Sequence, residues 1–83
     1  MTRPRRNDKL ERWLVEALNS LGGQGTIVEI CRAVWSSHES ELRSTETLFF
    51  TWQYQVRWLA TELRKDGVIR PAKVSPRGVW QLK

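Results

Sequence analysis

At 83 residues the chain holds one domain, with no room for a catalytic domain beside a binding domain or for a doubly wound sheet and its cofactor. An apolar fraction of 40% excludes a disordered basic tail, and five tryptophans have to supply much of a small core. Fourteen Lys and Arg against nine Asp and Glu leave a net charge of +5, the balance of a domain that meets a polyanion, most commonly nucleic acid.

Residues 1–7 read as a flexible basic arm, since Pro4 and the lack of large apolar side chains argue against helix; residues 8–83 read as the folded domain. Asp8 is placed to cap a first helix, with Glu11 as the return partner of a capping box. Leu10, Trp13, Leu14, Ala17, Leu18 and Leu21 follow on one helical face, and Gly22 and Gly23 stop the helix. Residues 24–26 form a short link or stub of strand. Thr26 and Glu29 make a second capping box, launching a helix whose apolar stripe is Ile27, Ile30, Cys31, Val34 and Trp35. That stripe puts Cys31 in the core. Residues 36–47 are polar and acidic and read as a loop, or a loop around one short helical turn beginning at Ser36. A third helix begins between Thr45 and Thr51, with Thr51 favoured as its cap and an earlier turn through Leu48, Phe49 and Phe50 as the alternative. It runs to Asp66 and ends at Gly67. Trp52, Val56, Leu59, Ala60 and Leu63 share its apolar face, Leu48, Phe49 and Phe50 are most simply core as well, and Tyr54, Arg57, Trp58, Thr61 and Lys65 occupy the opposite face, flanked by Gln53 and Arg64. Val68, Ile69 and Arg70 have strand character. Residues 75–78 suit a β-turn with Pro76 second and Gly78 fourth, and Val79 to Leu82 alternate as a returning strand.

The charge is not evenly spread. Residues 1–12 carry +3, residues 13–56 carry −3 and residues 57–83 carry +5. The cationic blocks fall on the arm, the third helix and the final hairpin.

Several chemistries are missing. One cysteine builds neither a disulfide framework nor a zinc knuckle, and a reducing cytoplasm is the expected compartment. The single histidine, His38, lies in a Ser/Glu-rich stretch and reads as a solvated loop residue. No phosphate loop, dinucleotide fingerprint or paired-carboxylate arrangement is present, so neither enzymatic activity nor a metal or small-molecule cofactor is expected. No run approaches the roughly 18 apolar residues of a membrane helix.

The expected fold is α+β, mostly α: three helices followed by a C-terminal β-hairpin, the layout of a winged helix-turn-helix domain. In that fold the third helix enters the DNA major groove and the wing touches backbone or minor groove. The chemistry suits each part. Gln53, Tyr54, Arg57, Trp58, Thr61, Arg64 and Lys65 would form the DNA-facing helix, because Arg and Gln make bidentate contacts to guanine and adenine edges. Arg70, Lys73, Ser75 and Arg77 would form the wing, and Arg3, Arg5 and Arg6 the arm. Tyr54 and Trp58 could stack on sugars or bases, but tucking against the hairpin is the favoured reading for Trp58.

Three stretches then resemble a known family: Val56-Arg57-Trp58-Leu59-Ala60, Leu63-Arg64-Lys65-Asp66-Gly67-Val68-Ile69, and Ser75-Pro76-Arg77-Gly78-Val79-Trp80-Gln81-Leu82. They are similar to the amino-terminal domain of Mrr-type restriction endonucleases, whose pattern is an R-W-A helix, a K-x-G-L/I step and an S-P-x-x-G-V-W hairpin. Ala17-Leu18 to Gly22-Gly23 and Ile27-Val28-Glu29-Ile30 resemble its first helix and its entry to the second, so the similarity covers residues 13–82. It implies a winged-helix DNA-recognition module of bacterial or phage origin, which in the restriction enzymes directs a nuclease domain to modified DNA. These 83 residues hold no nuclease domain, so recognition is implied without cleavage, and the loop from Arg70 to Val74 is longer than the family's.

The function expected is therefore double-stranded DNA binding in a regulatory, architectural or modified-DNA role, in the cytoplasm and associated with the nucleoid. A protein-interaction adaptor is the main alternative: the acidic stretch 36–47 and the run Leu48–Tyr54 would serve a homodimer or a partner protein. RNA binding through Tyr54 and Trp58 is the third.

Overall fold

The computed structural model describes residues 8–83; Arg3, Arg5 and Arg6 of the arm lie outside them. The order is α1 (Asp8–Ser20), β1 (Gln24–Thr26), α2 (Ile27–Ser44), α3 (Glu46–Lys65), a 3-10 turn (Ala72–Val74) and β2 (Val79–Gln81). The fold is mostly helical, with a two-stranded antiparallel sheet. No helix among the described residues is long and apolar enough to cross a membrane.

Local chemistry sets the ends of these elements. The helices α1 and α3 finish alike: Gly23 N–H donates to Leu18 C=O at 2.8 Å and Gly22 N–H to Asn19 C=O at 3.1 Å, while Val68 N–H donates to Leu63 C=O at 2.9 Å and Gly67 N–H to Arg64 C=O at 3.2 Å. In both motifs the first residue past the cap is a glycine of positive φ, +83° at Gly22 and +80° at Gly67, where a Cβ would be strained. At the start of α2 the expected capping box is formed: Glu29 N–H donates to Thr26 Oγ1 at 3.2 Å and Thr26 N–H donates to Glu29 Oε1 at 2.9 Å. The Thr26 backbone N–H, and after it the Thr26 hydroxyl, hold the Glu29 carboxyl below the usual glutamate range. A carboxylate so depressed contributes stability above its unfolded pKa and loses it as pH falls through the folded value. Thr26→Ala is expected to cost about 1 kcal/mol in urea or thermal unfolding. Glu29→Ala should destabilise at neutral pH and lose its effect under acid, where the wild-type carboxyl is protonated too.

One apolar core joins the helices. Leu10, Leu14 and Leu18 of α1, Ile30, Val34 and Leu42 of α2, and Val56, Leu59 and Leu63 of α3 are essentially inaccessible, with Ile69 closing the end. Each such aliphatic side chain contributes about 1.5–3 kcal/mol of burial. Trp13 and Trp52 are buried; Trp35, Trp58 and Trp80 are half-buried against the same core.

The stretch 36–47, read as a loop, is helical through Ser44. The helix α2 kinks at His38 (φ −133°, ψ 23°) and continues, and a single extended residue, Thr45 (φ −118°, ψ 113°), separates it from α3. Tertiary contacts impose this. Leu42 is fully buried, and the His38 ring stacks on Trp13 with centroids 4.0 Å apart and planes at 8°. His38 Nε2 also lies 3.2 Å from Glu16 Oε1, so His38 is a packed residue and not a solvated one. Lys9 reaches Glu41 at 3.1 Å, and Arg43 pairs with Glu39 one turn away at 2.8 Å.

The start of α3 is earlier than the favoured Thr51. Thr51 lies inside the helix, where its hydroxyl donates to Thr47 C=O at 2.7 Å and accepts from Gln55 Nε2 at 2.9 Å. Starting at Glu46 turns Phe49 and Phe50 outward, one turn before Gln53 and Tyr54, so neither belongs to the buried core.

The hairpin also differs from the expected one. The strand β2 pairs with β1, in the register Gln24↔Gln81, Gly25↔Trp80 and Thr26↔Val79. The segment 68–70 adds one antiparallel bridge, Ile69↔Leu82, carried by Arg70 N–H to Gln81 C=O at 2.8 Å and Lys83 N–H to Val68 C=O at 3.0 Å. Pro71 has no N–H to extend that ladder and caps the 3-10 turn instead. The following β-turn falls one residue later than expected: Val79 N–H donates to Pro76 C=O at 3.0 Å, with Gly78 (φ +75°) third, the position that requires positive φ in a type II turn.

Candidate nucleic-acid interface

The expected apolar face of α3 is the buried one: Trp52, Val56, Leu59, Ala60 and Leu63 all point inward. That fixes the opposite face. Tyr54, Arg57, Thr61 and Lys65 are exposed, and Trp58 is half-buried, drawn back against the core. Thr61 Oγ1 donates to Arg57 C=O at 3.4 Å, and Lys65 Nζ lies 3.7 Å from Glu62 Oε1, a loose pairing that leaves the ammonium in solvent.

The two arginines of α3 line two different concave surfaces. Toward the C-terminal end, Arg64 joins Ser75, Arg77 and Trp80 around a cavity of about 250 Å³. Arg64 is half-buried, and its Nε is fully enclosed with no hydrogen-bond partner, the one such side-chain nitrogen or oxygen among the described residues. Arg77 is exposed at the turn. Ser75 Oγ donates to Pro71 C=O at 3.3 Å, which ties the loop to itself and occupies the hydroxyl proton. Arg70 and Lys73 are exposed beside this loop but do not line the cavity.

Toward the N-terminal end, Gln53 and Arg57 line a wider groove of about 850 Å³ whose other wall is α2, with Ile27, Cys31 and Trp35. Cys31 is therefore half-buried on a groove wall and not enclosed in the core. Burial raises its thiol pKa, and the Arg57 charge across the groove partly opposes the rise. The net rise lowers the fraction of thiolate, the nucleophilic form.

The sequence reading missed the α2 wall of this groove. Val28 and Arg32 are exposed and belong to it. The one signal was Val28, an apolar side chain that widens the stripe of Ile27, Cys31 and Trp35 by one position.

Among the described residues no group of His, Cys, Asp and Glu side chains is placed to hold a metal ion. No protein-family model matches the sequence, and comparisons with curated proteins and with solved structures find no match.

Proposed function

We propose that the chain binds double-stranded DNA as a winged helix-turn-helix module. The C-terminal half of α3 would enter the major groove, and the loop 70–78 would act as a wing on the phosphate backbone. The observation that carries this reading is the meeting of α3 and the loop at Arg64 and Arg77. Both charged side chains lining that cavity are cationic. A guanidinium at such a surface makes charge-assisted hydrogen bonds to phosphate oxygens through its outer nitrogens. Arg57 and Lys65 of α3 and Arg70 and Lys73 of the loop are exposed cations as well, and Arg3, Arg5 and Arg6 would add phosphate contacts from the arm. The bridge Ile69↔Leu82 beside the β1–β2 pair supports the winged-helix reading, since it aligns three segments as a short wing stem. The resemblance to Mrr-type recognition domains points the same way, toward a regulatory, architectural or modified-DNA role in association with a nucleoid. Stacking on single-stranded RNA through Tyr54 and Trp58 is less well supported, because of these two rings Trp58 is half-buried.

Amide chemical-shift mapping with a short duplex tests the surface. Shifts are expected at Arg57, Thr61, Arg64, Lys65, Lys73, Ser75 and Arg77. Shifts confined to residues 36–54 would contradict the assignment.

A further inference from the structure

The groove between α2 and α3 is largely unused by this DNA-binding reading, and its chemistry is different. Its floor and walls are aromatic and aliphatic: Trp35 lies 6.1 Å from Trp52 and 6.3 Å from Phe49, and Phe49 packs edge-on against Phe50 at 5.1 Å. Two large apolar side chains that are mostly exposed, Phe50 at 76% on α3 and Val28 at 59% on α2, line it from opposite walls. Apolar side chains gathered this way on so small a domain mark an interaction surface more than a solvated one.

Shape and charge specify the occupant. The α2 wall runs from Ile27 to Ser36 and the α3 wall from Phe49 to Arg57. At about 1.5 Å per residue these walls are about 12–14 Å long, which matches the span of apolar anchors at i, i+3 or i+4, and i+7 on one helix. The lining includes two charged side chains, Arg32 and Arg57, and no carboxylate. Arg43, whose charge is already paired with Glu39, lies over the Trp35 and Phe49 rings at 5.0 and 5.7 Å, so the specifying charges are Arg32 and Arg57. The chain's own arm is a poor occupant, since its Arg3, Arg5 and Arg6 would meet like charge.

The geometry points to this groove as the docking site for an amphipathic, acidic helix of a partner protein. Phe50 and Val28 grip its apolar stripe, and Arg32 and Arg57 pair with carboxylates on its flanks. Because the groove opens between α2 and the N-terminal half of α3, such a partner would sit beside the proposed wing surface and share Arg57 with it.

The test is a selection from a displayed library of 14-residue helices, with anchor and flanking positions randomised, against the full chain. The best peptide is then synthesised and titrated by NMR. Winners should carry apolar residues at i, i+3 or i+4, and i+7 with an excess of Asp and Glu beside them, and should shift the amides of Val28, Cys31, Phe50 and Arg57. The exposed-site variant Val28→Ser/Phe50→Ser should weaken the peptide at least tenfold while retaining the thermal melt and duplex binding of the parent. Arg32→Glu should weaken the acidic peptide about tenfold and favour a lysine-flanked version. The proposal is overturned by enrichment of basic helices, by no enrichment above background, or by binding that maps elsewhere. It is equally overturned if sedimentation shows a dimer that Phe50→Ser disrupts, because a second copy would then be the occupant.

Discussion

Leu42→Ala is expected to lower the free energy of unfolding by about 2–5 kcal/mol. Leu42 is fully enclosed although it sits in a stretch whose neighbours are nearly all polar. Its side chain fastens the second half of α2 to the core, beyond the kink at His38. Truncation removes transfer energy and leaves a cavity, and small domains have little stability in reserve. Were residues 36–47 a solvated loop, the same change would fall within about 0.5 kcal/mol of neutral. Urea unfolding followed by far-ultraviolet circular dichroism distinguishes the two results, and loss of the folded baseline in Leu42→Ala would itself place the residue in the core. A neutral result would contradict the continuation of α2 through Ser44.

The second large effect concerns binding. Arg57→Ala is expected to weaken a preferred duplex by about 1–3 kcal/mol and to flatten the preference among sequences, as loss of a base-edge contact does. Arg77→Ala should instead weaken every duplex about equally and lower the salt dependence by about one unit, as loss of a phosphate contact does. Both side chains are exposed, so neither change should alter the melting temperature by more than a small amount. Fluorescence anisotropy with several duplex sequences separates the outcomes. Equal behaviour of the two variants would contradict the division of α3 and the loop into reading and holding surfaces.

The sequence made some features legible because their causes are local. The 3.6-residue spacing of Leu10, Trp13, Leu14, Ala17 and Leu18, the Thr26–Glu29 box and the helix-ending glycines all act within a few residues, and they read correctly. The tail of α2 did not, because its run from Ser36 to Glu41 has no apolar period; its helicity depends on Trp13, Glu16 and Lys9 of another helix. One signal favoured helix nonetheless: no Gly or Pro occurs between Gly25 and Gly67. Thr51 resembled a cap because a threonine hydroxyl serves a free helix end and a preceding carbonyl equally well. The return of the last strand beside residues 68–70 was legible and survives as one bridge, but its main pairing with β1 was not, since so short a ladder is chosen by where the helices bring it. For the candidate interface, charge alone located the cations. It could not show that Gln53 and Arg57 face α2 while Arg64 turns to the loop, which depends on how α3 lies against its neighbours.

DNA binding by the charged face of α3 and its adjoining loop is tested most directly by titrating labelled duplex at several salt concentrations. With about five phosphates neutralised, log K should fall linearly against log salt with a slope of about −4.5. A flat salt response, or no binding at low salt, would contradict it.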